Sequence, residues 1–345
     1  MSPPARIRVL HTLPAPDGRT RFVDQMLGGA SPGVDVRTFS WRTALFGTYD
    51  VFHIHWPEYL TRHRTAVGSL AKRALTIALL TRIRLSGIAI VRTAHNLDPH
   101  ERGGWLDSRL LRAIDARTDY WIRLNPTTTL PSDARATTIL HGHYRDRFAT
   151  PDVQQQRGRI LQFGLIRPYK GIEQLLAAFA LLNEQDLTLR IVGKPVAGAL
   201  DSAIKRAAAA DQRISHDLRF VEDNELAEEV AAAELVVLPY LEMHNSGALL
   251  VALSLDRPVL VPRSPANQAL SDEVGPGWVI MFDGELQAAQ LRAAVSDARR
   301  PRASRPNLSG RDWTEVGRLH ELAYREALGR GYEEGAGTSS ASRSG

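Results

Sequence analysis

The chain predicts an α/β protein built from two doubly wound halves, and three observations carry that prediction. Apolar strand-like runs alternate with helices whose apolar residues recur at i, i+3, i+4 and i+7. The alternation breaks at the polar stretch Thr150-Pro151-Asp152-Val153-Gln154-Gln155-Gln156-Arg157-Gly158 and then restarts. At 345 residues the chain is also long for a single hydrophobic core. The reading places an N-terminal domain at 1–150 and a C-terminal domain at 159–310. A terminal helix at 311–328, able to pack back on the first half, and a Gly/Ser-rich disordered tail at 335–345 complete it.

Composition narrows the function classes. With 43% hydrophobic and 23% charged residues the chain reads as globular. It has no cysteine, which excludes disulfides and thiolate metal sites. The N-terminal residues lack an apolar signal core, so a cytoplasmic protein is expected. The longest apolar run, Ala74 to Leu80 and broken by Thr76, falls far below the roughly 20 residues of a membrane span. The net charge of +5 suits an anionic small molecule or a lipid surface and not a nucleic acid.

In the first half, Ile7 to Leu13 reads as a buried strand, followed by the loop Pro14-Ala15-Pro16-Asp17-Gly18, where backbone can approach a ligand. A helix from about Thr20 to Leu27 and a strand from Val34 to Ser40 follow. Tyr49 to His55 is the next strand, and its side-chain period of two puts His53 and His55 on one face. They are read as paired polar residues at a strand end in preference to metal ligands. The helix Val67 to Ser86 sets Lys72, Arg73, Arg82 and Arg84 among leucines and isoleucines. It reads either as an interfacial amphipathic helix or as a surface helix with its apolar face inward. Strand Gly87 to Thr93 then delivers His95, Asn96, Asp98 and Glu101 to its carboxyl end, where open α/β sheets bind ligands. His95 is suited to orienting a hydroxyl or moving a proton, and Asp98 or Glu101 to acting as a general base. Strands Tyr120 to Leu124 and Thr137 to Leu140 close the half, the second running into a loop with His141 and His143.

The second half opens on Phe163-Gly164-Leu165-Ile166-Arg167-Pro168-Tyr169-Lys170-Gly171, a strand end, a cationic loop and a helix start with Ile172, Leu175, Leu176 and Phe179 on one face. Such a loop reads as a phosphate cradle with Arg167 and Lys170 as its charges, or as a plain βα turn. Asn245, Ser246 and Gly247 open the apolar helix Ala248 to Leu255, a second N-terminus suited to an anion. The pair of turns in one half points to a nucleotide diphosphate. The last helix, from Arg311 to about Leu328, places Trp313, Val316, Leu319 and Leu322/Ala323 on one face.

This order of parts resembles the GT-B glycosyltransferases, whose two Rossmann-like domains face a central cleft. The loop Phe163 to Gly171 looks like that family's donor-phosphate loop, and Ser246-Gly247 looks like its phosphate-binding helix start. More narrowly, His53-Ile54-His55-Trp56-Pro57-Glu58, His95 to Glu101 and His143-Tyr144-Arg145-Asp146 resemble bacterial exopolysaccharide mannosyltransferases of the xanthan β-mannosyltransferase type. The resemblance departs at two points: Met243 and Val251 occupy the positions where many retaining members carry a Glu pair, and Leu165 stands where an Arg is usual. It implies a hexosyltransferase, with GDP-mannose the favoured donor and a lipid-linked or glycan acceptor, possible contact with the inner face of the plasma membrane, and no nucleic acid. Arg167, Lys170, Asn245, Ser246 and Gly247 are assigned to the donor, Asp17, Gly18 and His143 to the acceptor, and His95, Glu101 and Asp98 to catalysis. No Asp-x-Asp occurs, so neither metal nor cofactor is expected. The alternatives are a sugar-nucleotide epimerase or hydrolase and a non-catalytic GT-B partner subunit.

Overall fold

The computed structural model describes residues 6–18, 21–95, 104–148, 151–196, 198–241 and 246–329. They divide into two compact units, one of Met1–Leu124, Thr129–Ile139 and Trp313–Gly345, the other of Asn125–Thr128 and Leu140–Asp312. The main stretch of the second unit therefore begins at Leu140, ahead of the polar stretch that the sequence marks as a linker, and His143 belongs to it.

The first unit runs β1 (Ile7–His11), α1 (Arg21–Gly28), β2 (Val34–Arg37), α2 (Trp41–Phe46), β3 (Val51–Ile54), α3 (Glu58–Thr61), α4 (Ala66–Ser86), β4 (Ala89–Ala94), α5 (Trp105–Arg117), β5 (Tyr120–Arg123) and β6 (Ala136–Thr138). Its sheet is parallel throughout, in the order β2-β1-β3-β4-β5-β6. Strand order reverses at β1, so a crevice opens between the carboxyl ends of β1 and β3. Period-two alternation splits the strands between two cores. Ile7, Val9, Val51 and Val91 face one side, while Leu10, Phe52, Ile54 and Ile90 face the other. Helix α4 starts where the Thr65 hydroxyl accepts from the Gly68 N–H and stops at Gly87 in the left-handed region.

The second unit runs β7 (Arg159–Phe163), α6 (Ile172–Ala180), β8 (Thr188–Val192), α7 (Gly198–Ala210), β9 (Ile214–Asp217), α8 (Asp223–Ala232), β10 (Leu235–Val237), α9 (Gly247–Ser254), β11 (Val259–Pro262), α10 (Pro265–Val274), β12 (Val279–Phe282) and α11 (Ala288–Ala298). Its parallel sheet has the order β12-β11-β10-β7-β8-β9, the doubly wound Rossmann arrangement with its switch between β7 and β10.

The closing helix α12 (Trp313–Ala327) belongs to the first unit and packs on β4, β5 and α1. Its buried stripe is Trp313, Val316, Gly317, His320, Ala323 and Tyr324. Leu319 and Leu322, which the apolar pattern turns inward, are only half-buried, because His320 and Tyr324 hold the central positions. The helix crosses the end of α1 at contact distance: a Cβ on Gly317 would lie 1.9 Å from the Gly29 carbonyl oxygen. Mid-helix glycine normally costs about 1 kcal/mol relative to alanine. Here steric exclusion outweighs propensity, so Gly317→Ala should lower stability in chemical denaturation by about 1–3 kcal/mol. A more stable Gly317→Ala protein would refute the close crossing.

Candidate functional site

Two loops leave the switch point of the second unit. The first follows β7. Gly164 sits at φ 101°, its N–H bonds to the Val192 carbonyl at 2.9 Å, and the Ile166 N–H bonds to the Lys194 carbonyl at 3.0 Å. A single 3-10 turn over Pro168–Lys170 then leads into α6 through Gly171 at φ 66°. A side chain on Gly171 is excluded, since a Cβ there would come within 1.9 Å of the Pro239 carbonyl oxygen. The second loop follows β10 and is sewn to the first. The Leu241 N–H donates to the Tyr169 carbonyl at 2.8 Å, and Gln174 Nε2 donates to the Pro239 carbonyl at 2.5 Å.

Lys170 is the unusual residue of this pair of loops. It is 9% exposed and forms no ion pair among the described residues. Its ammonium lies 5.0 Å from the centre of the Tyr240 ring, a cation–π contact. Burial, with a smaller push from the Arg167 charge, lowers its pKa from 10.5 to about 8. A buried cation without a counter-ion is costly unless something anionic completes the site. Arg167 itself is exposed. Across the switch point Ser246 caps α9, its hydroxyl accepting from the Leu249 N–H at 3.2 Å. Among the described residues a Cβ on Gly247 would meet nothing nearer than the Tyr144 hydroxyl at 3.5 Å. The site can therefore offer a helix N-terminus, a buried ammonium and an exposed guanidinium to an anion. Val251 is buried in the core of α9, so that position presents no carboxylate.

In the first unit the switch point is lined by histidines. His11 pairs in register with His53 across β1 and β3, and His55 lies two residues on. With Thr93 and His95 they share the sheet face covered by α12. His11 Nδ1 lies 3.0 Å from His55 Nε2, and His55 Nδ1 lies 3.3 Å from His95 Nε2. His53 binds the Tyr324 hydroxyl at 2.8 Å and Thr93 Oγ1 at 2.7 Å. Desolvation pushes His11 down to about 3 and His53 and His55 well below the usual imidazole range, and it raises the Tyr324 phenol. All are thus neutral at pH 7. Half-buried His95 stacks on Trp56 with ring centres 4.4 Å apart.

The other candidates fall as follows. Asp17 and Gly18 form an exposed loop in the first unit, the Asp17 N–H donating to Asp24 Oδ1 at 3.2 Å. His143 is buried in the second unit, with its ring within reach of Asp146 and Asp312. Burial lowers its pKa against the pull of Asp146. Asp98, Glu101 and Asn245 lie outside the described residues. Two described groups have metal-ligand spacing, His11/His53/His55 and His143/Asp146/Asp312. His11, Tyr240 and Tyr324 are additions that motif reading misses. The period-two position of His11 after Ile7 and Val9 is the only signal for the first.

The family described as glycosyl transferases group 1 matches residues 157–297. Over 328 residues the chain is 49% identical to a GDP-mannose:glycolipid 4-beta-D-mannosyltransferase of Xanthomonas campestris pv. campestris, covering 94% of each protein. Among solved structures it is similar to sucrose-phosphate synthase from Thermosynechococcus elongatus, with a TM-score of 0.61 and 15% identity over 94% of this chain and 96% of that one. It is also similar to HepE of Anabaena in complex with UDP, with a TM-score of 0.61 and 13% identity over 92% and 95%. At these identities the two structures speak to the fold, which is GT-B.

Because the buried Lys170 charge has no ion-pair partner among the described residues, Lys170→Met should stabilise the protein at pH 7 by an amount on the order of 1–3 kcal/mol. The folded pKa of about 8 lies below the unfolded 10.5, so the unfolded chain binds the extra proton between them. Stability of the wild type therefore rises relative to Lys170→Met as pH climbs through that window, closing the gap. Denaturant titrations of both proteins at pH 7 and pH 10 measure it.

Proposed function

The chain belongs to the glycosyltransferase family of its Xanthomonas relative, and we propose that it moves mannose from GDP-mannose onto a lipid-linked glycan in the synthesis of an exopolysaccharide or envelope glycan. The observation that carries the donor half of this reading is Lys170, a buried ammonium over the Tyr240 ring on the loops that leave the same switch point as the start of α9. The donor diphosphate is the counter-ion this arrangement lacks. Lys170 and Arg167 hold it, with Asn245, Ser246 and Gly247 at the start of α9. As the bond to the sugar breaks, negative charge gathers on the departing GDP, and a fixed ammonium in a dry site stabilises that charge more than it does the ground state. In this reading the two cations serve in place of a bridging metal. His95 contacts the sugar or the acceptor hydroxyl, and Asp98 or Glu101 takes the proton if the reaction inverts. Asp17, Gly18 and His143 are assigned to the acceptor.

The acceptor half of the reading is supported by α4. Its inward residues are Thr76, Leu79 and Ile83, yet a second apolar stripe faces outward, with Val67 80%, Leu70 63%, Ile77 51% and Leu85 82% exposed. Phe46, Tyr59 and Trp105 are exposed on helices packed against it, and Arg42, Arg64, Arg84 and Arg109 are exposed on the same group of segments. Outward apolar side chains, interfacial aromatics and arginines suit an anionic bilayer surface, where a glycolipid acceptor resides. Among the described residues no helix is long and apolar enough to cross a membrane, so contact in this reading is peripheral.

Two measurements test these halves separately. GDP should raise the melting temperature more than UDP or ADP does, and Arg167→Ala with Lys170→Ala should abolish both that shift and mannosyl transfer while the fold persists. An equal shift from UDP would remove the guanine and mannosyl assignment. Leu70→Asp with Ile77→Asp should abolish sedimentation with phosphatidylglycerol vesicles and leave the GDP shift intact. Unchanged sedimentation would remove α4 from the membrane face.

A further inference from the structure

We propose that Tyr324, His11, His53 and His55 form a hydrogen-bonded string that sets the tautomer of His95. This assignment of a positioning role rests on the reading of His95 as a residue at the reacting sugar or acceptor. Among the described residues the string links six groups. Thr93 Oγ1 lies 2.7 Å from His53 Nε2, and His53 Nδ1 lies 2.8 Å from the Tyr324 hydroxyl. That hydroxyl lies 3.3 Å from His11 Nε2, His11 Nδ1 lies 3.0 Å from His55 Nε2, and His55 Nδ1 lies 3.3 Å from His95 Nε2.

Each ring in the middle of the string uses both nitrogens, and a neutral imidazole has one hydrogen for the two. A ring that donates on one side must accept on the other. The phenol, with one hydrogen, obeys the same rule once that hydrogen is used inside the string. The string therefore has two arrangements. In one, His53, His11, His55 and His95 all carry hydrogen on Nδ1; in the other, all four carry it on Nε2. His95 cannot change its tautomer alone, so the hydrogen-bonding character of its Nδ1 is dictated by groups up to four partners away. Burial keeps His11, His53 and His55 neutral, which is what makes the counting strict for the three rings inside the string. His320 stands outside it, since its Nδ1 is taken by the Val316 carbonyl at 2.7 Å. Among the described residues the phenol is the one hydrogen-bond link between His53 and His11, so the isosteric Tyr324→Phe cuts the string while keeping the ring that fills the core.

The test uses the full chain with nitrogen-labelled histidine, assigned by single substitutions, in a long-range proton–nitrogen correlation spectrum at pH 7. All four rings should be neutral and share one tautomer. Mixed tautomers among them would overturn the string, as would a stoichiometric zinc ion held by His11, His53 and His55. This arm needs neither donor nor acceptor, so it stands whatever the enzyme transfers. The second arm is kinetic. Tyr324→Phe should lower kcat by about tenfold to a hundredfold, the range for lost outer partners of a functional histidine, with donor KM and the GDP shift unchanged. Unchanged kcat in Tyr324→Phe together with a large loss in His95→Ala overturns the positioning role. Unchanged kcat in both variants overturns the placement of His95 at the reaction, and the positioning role with it.

Discussion

A parallel sheet sends the carboxyl ends of all its strands to one edge, and a reversal of strand order opens a single gap along that edge. Both units obey this constraint, and their unusual chemistry collects where it directs. In the second unit the loops after β7 and β10 meet at the gap, tied by the Tyr169–Leu241 and Gln174–Pro239 bonds. In the first, β1, β3 and β4 bring three histidine-bearing strand ends together.

The two gaps answer the cost of burying polar atoms in different ways. The histidines satisfy one another, which the neutral imidazole allows because it is donor and acceptor at once. Lys170 has no acceptor role and no carboxylate nearby among the described residues, so its cost is left standing in the protein alone. A group held in that condition favours the state in which an anion is bound. Tyr240 softens the cost through its ring face.

Local pattern makes the second gap legible and leaves most of the first hidden. The strand, glycine loop and amphipathic helix from Ile160 to Phe179 are contiguous, so periodicity and residue type suffice to read them, and Ser246 follows from its place before an apolar helix. The partners of His53 include Tyr324, 271 positions away, and no local window holds both. Period two does place His53 and His55 on one face, and pairing is their state. The apolar pattern reads helix α12 by its leucines, although His320, bonded to the Val316 carbonyl, and Tyr324, bonded to His53 and His11, occupy its central stripe. Helix α4 poses the opposite difficulty. It carries two apolar stripes, and only packing decides that Leu79 and Ile83 face in while Leu70 and Ile77 face out. Asp98, Glu101 and Asn245 remain sequence readings.

The placement of α12 in the first unit has a consequence for biosynthesis. The second unit's main stretch, Leu140–Asp312, is continuous and emerges from the ribosome before α12 exists. Until Tyr324 is made, His53 and His11 each lack one of their two ring partners, and the face of β4 and β5 that α12 covers is open to solvent. The order of completion thus runs against the order of translation: the segment synthesised first is finished last. A ribosome that stops before Trp313 releases a chain whose later unit is whole and whose earlier unit exposes its core, a species for chaperones and proteases to find.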